Sequence, residues 1–145
     1  MKRNSRGFTL VEILIVVIIL GILAAIVIPQ FTNASSDTRT SSVRSTLQTL
    51  RSQIELFKIQ HGDVPPTSDG LVAVMTGKTN PSDVGAVSTT GTLGPYLQSF
   101  PINPLNGSSV VGATAAAGTG WVYVVTGTGY TVSATDTTGT AALTY

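Results

Sequence analysis

The chain has 145 residues, 42% hydrophobic and only 10% charged, with a formal net charge of +1, which is room for one modest domain plus a further segment. Cysteine is absent and histidine occurs once, which excludes a disulfide framework, a thiol nucleophile, a thiolate metal site and a multi-histidine centre within one chain. Three of the eight basic residues (Lys2, Arg3 and Arg6) precede Gly7, and the chain beyond Gly7 carries five basic against seven acidic side chains, so no basic stripe is left to grip a nucleic acid.

Met1–Arg6 is short, polar and basic, the kind of flank that stays on the cytoplasmic side of a membrane. Ile13–Ile28 then contains no polar side chain. A helix from Phe8 to Phe31 would be about 36 Å long at 1.5 Å per residue, enough to cross a hydrocarbon core of ~30 Å. Glu12 stands at the edge of this segment. An ionised side chain at the centre of a membrane helix costs roughly 2.5–3.5 kcal/mol, so one that persists here points to a function. Were the chain cut after Gly7, Phe8 would carry a free ammonium one helical turn from that acid, or within reach of a neighbour's. A cleaved secretory signal fits poorly, because its apolar core is shorter and ends in a small-residue site that Pro29-Gln30 does not supply. A plain anchor leaves Glu12 and the Gly7–Phe8 junction unexplained.

Gly21 and Pro29 lie inside the same segment. Pro29 lacks an amide donor and its ring crowds the carbonyl of Ala25, which predicts a kink. Gly21 weakens a helix relative to alanine, and the spacing of Gly21 and Ala25 permits close approach of helices in lipid. The two positions are either simply tolerated or mark a stretch that softens or repacks between them.

After Phe31 the pattern changes. Val43, Leu47, Leu50, Ile54 and Phe57 recur at steps of four, three, four and three among polar residues, which is one apolar stripe on an otherwise polar helix. Gly62 suits a helix C-cap. The pattern predicts one helix from Phe8 to about His61, with Ser35-Ser36-Asp37 as an alternative start of a second helix. Gly62–Gly94 is loop-rich, with Val64-Pro65-Pro66 forbidding regular helix and Asp69–Thr76 able to form a short one capped by Thr67 or Ser68. Strand composition arrives late, in Trp121–Thr126 and Tyr130–Thr135 around a Gly127-Thr128-Gly129 turn. Val110-Val111 predicts a brief strand and Ala142–Tyr145 a short edge strand. The expected architecture is α+β: a long helix, apolar first and amphipathic later, packed on a small antiparallel sheet.

The run Arg6-Gly7-Phe8-Thr9-Leu10-Val11-Glu12, closed by Ile26-Val27-Ile28-Pro29, closely resembles the prepilin-type signal of type IV pilins and type II secretion pseudopilins. Further along, Ile54–Lys58, His61–Pro65, Asp69-Gly70-Leu71, Gly94–Leu97 and Asn103-Pro104 with Asn106-Gly107 resemble the major pseudopilin pattern. The resemblance implies a leader at residues 1–7, cut between Gly7 and Phe8 by a prepilin peptidase, with N-methylation of Phe8. It implies a membrane and filament-core helix over 8–31, an amphipathic spine over 32–61 and a loop-rich region with the sheet over 62–145. The implied function is that of a structural subunit of a helical filament, a pseudopilin of type II secretion, polymerised through its amino-terminal helix with Glu12 meeting the Phe8 ammonium of a neighbour.

A type IV pilus pilin is the alternative within the same class, and a membrane-anchored extracytoplasmic binding domain the alternative outside it. The implied partners are copies of this chain, minor pilin-like subunits, the peptidase, a platform protein of the inner membrane, an assembly ATPase and the bilayer. The implied location is the bacterial cytoplasmic membrane, crossed once, with the carboxyl-terminal domain periplasmic or extracellular. The family also carries an acid-rich calcium loop near its carboxyl terminus, whereas residues 84–145 here contain only Asp136 as an acid, so no calcium site is assigned and no cofactor is expected.

No catalytic constellation is evident, and the expectation is a chain that is not an enzyme. Gly127-Thr128-Gly129 lacks the third glycine and the strand–helix setting of a dinucleotide site. His61 with Asp63 could be drawn as a base and its orienter, but at a helix end beside a proline turn a solvated histidine is expected. Asn33-Ala34-Ser35 and Asn106-Gly107-Ser108 are formal glycosylation sequons that predict little in a prokaryote.

Overall fold

A computed structural model describes residues 7–144. The expectations placed on Met1–Arg6 and on Tyr145 lie outside the described residues. The elements in chain order are α1 (Leu10–Gln60), α2 (Leu71–Thr76), β1 (Val111–Gly112), β2 (Trp121–Thr126), β3 (Gly129–Thr135) and β4 (Ala141–Thr144). The chain divides into two compact units, Met1–Thr38 and Arg39–Tyr145.

The first unit is the earlier part of α1. The helix assignment runs without interruption through Pro29 and through Ser35–Asp37, so the alternative second start at that point is not used. Every residue from Gly7 to Thr38 is exposed. Length and composition make α1 the one helix among the described residues that is apolar enough to cross a membrane. Two of its hydroxyls are closed on the helix itself: Thr32 donates to the carbonyl of Ile28 at 3.2 Å and Thr38 to that of Ala34 at 2.7 Å.

The second unit has a conventional core. Val43, Leu47, Leu50, Ile54 and Phe57 are the buried residues of α1, the very stripe read from the sequence. They pack with Leu71, Val74 and Met75 of α2 and with Trp121, Tyr123, Val132 and Ala134 of the sheet. Each such side chain contributes about 1.5–3 kcal/mol by leaving water. Past Gln60 the chain turns at Gly62 and Asp63, both with positive φ (68° and 63°), and the amide of Asp63 closes on the carbonyl of Lys58 at 2.8 Å.

The sheet order is β1-β2-β3-β4. β2 and β3 form an antiparallel hairpin in which Trp121 faces Ala134 and Tyr123 faces Val132 across the ladder. Only Gly127 and Thr128 lie between the strands, and Gly127 has φ 61°, as a two-residue turn of type II′ demands at its first central position. β4 adds antiparallel to β3. The α+β arrangement stands, but the sheet is mixed rather than wholly antiparallel: β1 runs parallel to β2 over two residues. That pairing is too short to need a helical crossover. It is held because the carbonyl of Val110 accepts the amides of Gly120 and Trp121 at 2.8 and 3.0 Å.

Candidate functional site

Helix α1 begins one residue after Thr9, whose carbonyl accepts the first helical bond from Ile13 at 3.3 Å. The four amides that open a helix have no partner within it and need one from outside. Here Thr9 and Glu12 supply it reciprocally. The Thr9 hydroxyl accepts the amide of Glu12 at 3.2 Å, while the Glu12 carboxylate accepts the amide of Thr9 at 3.4 Å and its hydroxyl at 3.5 Å. Thr9-Leu10-Val11-Glu12 is therefore a capping box. Its pattern stands in the sequence, yet reading Glu12 only as a charge partner passes over it. The carboxylate also sits at the positive end of the helix dipole, worth about 0.3–1 kcal/mol at an exposed site.

Gly7 and Phe8 lie just before the helix, outside regular structure, and Phe8 is 78% exposed. A Cβ placed on Gly7 would meet nothing within 4 Å, and the same is true at Gly21. Among the described residues nothing demands glycine at either position. Gly21 and Pro29 are both incorporated in α1.

In the second unit the histidine is a correction. His61 is 3% exposed, not solvated. Its ring stacks on Phe57 with centroids 3.7 Å apart and planes 5° from parallel. Nδ1 lies 2.8 Å from the carbonyl of Phe57 and must donate to it, and Nε2 lies 3.1 Å from the hydroxyl of Thr79. Tyr96 closes the cluster by donating its hydroxyl to Gln60 at 2.6 Å, edge-on to Phe57. Burial pushes the Tyr96 hydroxyl pKa up, while the Thr79 hydrogen bond opposes the rise. Asp63 orients no base; it pairs with Lys58 at 3.4 Å, as Glu55 does at 3.8 Å. The histidine pins the end of α1 to the following loop, and among the described residues no carboxylate is bonded to its ring.

The outer turns of α1 are clasped to the hairpin. Arg51 donates to the carbonyl of Val132 at 3.1 Å and Tyr130 to the carbonyl of Arg51 at 3.4 Å, while Tyr123 ties the hairpin to the loop after α1 by donating to the carbonyl of Pro66 at 3.0 Å. Burial first, and nearby Glu55 in addition, pushes both tyrosine hydroxyls well above their ordinary range. A shallow groove beside α1 is lined by Ser45, Thr46, Thr49, Leu50, Leu97 and Ser99, among others, with no titratable side chain. Among the described residues no three His, Asp or Glu side chains come together as a metal would need.

A model of the prokaryotic N-terminal methylation motif matches residues 2–28, and a model of the type II secretion system (T2SS), protein G, matches residues 30–130. Similar curated proteins include the type II secretion system core protein G of Dickeya chrysanthemi, 32% identical over 72% of this chain and 65% of that protein. That of Klebsiella michiganensis is 32% identical over 73% of this chain and 72% of its own length. That of Pseudomonas aeruginosa is 30% identical over 71% and 70%. The chain thus spans roughly two thirds of the relatives it matches, just under that share for the first. No solved structure matches it.

Proposed function

The chain belongs to the protein G family of type II secretion systems, and from that premise we propose that it is a non-enzymatic pseudopilin, stored in the cytoplasmic membrane and polymerised through the first part of α1. The leader is cut between Gly7 and Phe8, and Phe8 becomes the methylated amino terminus. Support comes from the position of that bond: it lies in an exposed, non-helical stretch before α1, where a protease reaches backbone without unwinding a helix. The carboxyl-terminal unit faces the periplasm or the outside. Copies of this chain, minor pilin-like subunits, a platform protein and an assembly ATPase are its partners.

The observation that carries the proposal is Glu12, the one acid between Phe8 and Ser36, placed in the first turn of an apolar helix. In the stored subunit its capping bonds and the helix dipole stabilise the carboxylate by about 1–2 kcal/mol together. A central ionised group in a membrane helix costs roughly 2.5–3.5 kcal/mol, so the box offsets part of that cost and leaves the acid short of a full partner. Moving α1 from lipid into a bundle of identical helices gains little from hydrophobicity, since both surroundings are apolar. Pairing Glu12 with the ammonium of a neighbour's Phe8 then decides the register, because a misplaced subunit leaves a buried carboxylate unpaired.

Glu12→Leu tests this. The variant inserts and is cleaved, but filament growth under overexpression falls to background; filaments of wild-type length and number would refute the pairing. The type IV pilus alternative ranks second because the matched relatives are secretion proteins, and electron microscopy of long extracellular fibres would favour it instead.

A further inference from the structure

At the carboxyl-terminal end of the second unit four backbone carbonyls converge, those of Thr119, Gly120, Thr135 and Asp136. A cluster of carbonyl oxygens is the raw material of a calcium site, which takes six to eight oxygen ligands including carboxylates. Here side-chain amides occupy it. Asn103, fully buried, donates both protons of its amide, to Gly120 at 2.7 Å and to Thr135 at 2.7 Å. Asn106 donates to Thr119 at 2.8 Å and to the Thr135 hydroxyl at 3.0 Å, and lies 3.4 Å from the carbonyl of Asp136. The Thr135 hydroxyl turns to the carbonyls of Thr119 and Gly120. Each asparagine oxygen is in turn taken by a backbone amide, Leu105 for Asn103 and Ser108 for Asn106, which fixes which end of each side chain is nitrogen. No buried side-chain polar atom among the described residues is left without a partner.

The donor set does not suit a cation. The nitrogens aimed into the carbonyls carry partial positive charge and would repel one. The only acid of residues 84–145, Asp136, uses Oδ1 to hold the β3–β4 turn, accepting the amides of Thr138 and Thr140 and the Thr138 hydroxyl at 2.7–2.9 Å.

We infer that Asn103 and Asn106 do the work of a calcium ion in this chain: their amides tie the 103–108 loop to the start of β2 and the end of β3, so the carboxyl-terminal sheet folds and holds without a metal. This goes beyond filament assembly and does not depend on it.

The test is thermal unfolding of the full chain in detergent micelles, followed by fluorescence of Trp121. That residue is the lone tryptophan, fully buried, and its indole N–H donates to the carbonyl of Pro101 at 2.8 Å. The midpoint is expected to be the same with EGTA and with millimolar calcium chloride. Asn103→Asp, which replaces two donors by an acceptor, lowers the midpoint by roughly 10 °C. Asn106→Ala, at a half-buried position that tolerates folding, lowers it by a few degrees and keeps the test open should Asn103→Asp not fold. A wild-type midpoint that rises with calcium or falls with EGTA overturns the inference, as does an Asn106→Ala variant that melts with the wild type.

Discussion

One helix passes through two different environments, and the contrast between them explains most of the molecule. From Gly7 to Thr38 every residue is exposed, and the bonds of Thr9, Glu12, Thr32 and Thr38 are made within the same stretch, by the Thr9–Glu12 box and by hydroxyls returned to carbonyls one turn back. From Val43 onward the same helix sends five side chains into a core and takes partners far along the chain, such as Val132 for Arg51 and, just past its end, Thr79 for His61. Unbroken helical geometry therefore says little about what completes a surface. The second unit builds a core from its own sequence; the first is apolar on every side along Ile13–Ile28 and leaves those side chains exposed.

That division predicts unequal responses to similar mutations. Phe57→Ala removes a fully buried ring and should cost about 3–5 kcal/mol, read as a large drop in the melting midpoint of the second unit. Leu20→Ala, in the same helix but 58% exposed, should leave that midpoint unchanged while weakening membrane retention. Equal shifts would erase the distinction. Thr9→Ala is next in size. It removes the cap, costing about 1 kcal/mol at the start of α1, and frees Glu12 from its partner in the stored subunit. Cleavage and the stability of the second unit should be untouched, while the rate of filament growth changes; an unchanged rate would mean that the box has no part in assembly.

The smallest effect concerns acid. The Thr138 hydroxyl above all, then the Thr140 amide, holds the Asp136 carboxyl below its ordinary value. A depressed carboxylate contributes stability that is complete above its unfolded pKa of about 3.9 and is lost as pH falls through the lower folded value. The difference in melting midpoint between wild type and Asp136→Asn should therefore shrink below about pH 4. A constant difference would show that the charge is idle.

Legibility in the sequence divides along the same line. The stripe Val43–Phe57 is local and periodic, and the buried face of α1 matches it residue for residue. The hairpin is equally local, two β-rich runs around a glycine turn. The motif behind the proposed cleavage and assembly residues is long and contiguous, and the capping box is legible within it, though a charge-based reading of Glu12 obscures it. Features that depend on distant partners are not legible. His61 gives no sign of burial, because the group that satisfies it lies eighteen residues away. The amide cluster of Asn103 and Asn106 joins positions 13 to 32 residues apart, and in the sequence those asparagines carry only a family resemblance and a formal sequon. The brief strand expected at Val110-Val111 is found as β1, one residue later, but its parallel pairing with β2 leaves no trace in the sequence.

The pairing of Glu12 with a neighbour can be observed directly in filaments assembled from two pools of subunits. One pool carries nitrogen-15 at the Phe8 amine and the other carbon-13 at the Glu12 carboxylate. Solid-state NMR should detect a short dipolar contact between the two labels, which lie on different molecules. Filaments that form normally without that contact would contradict the account.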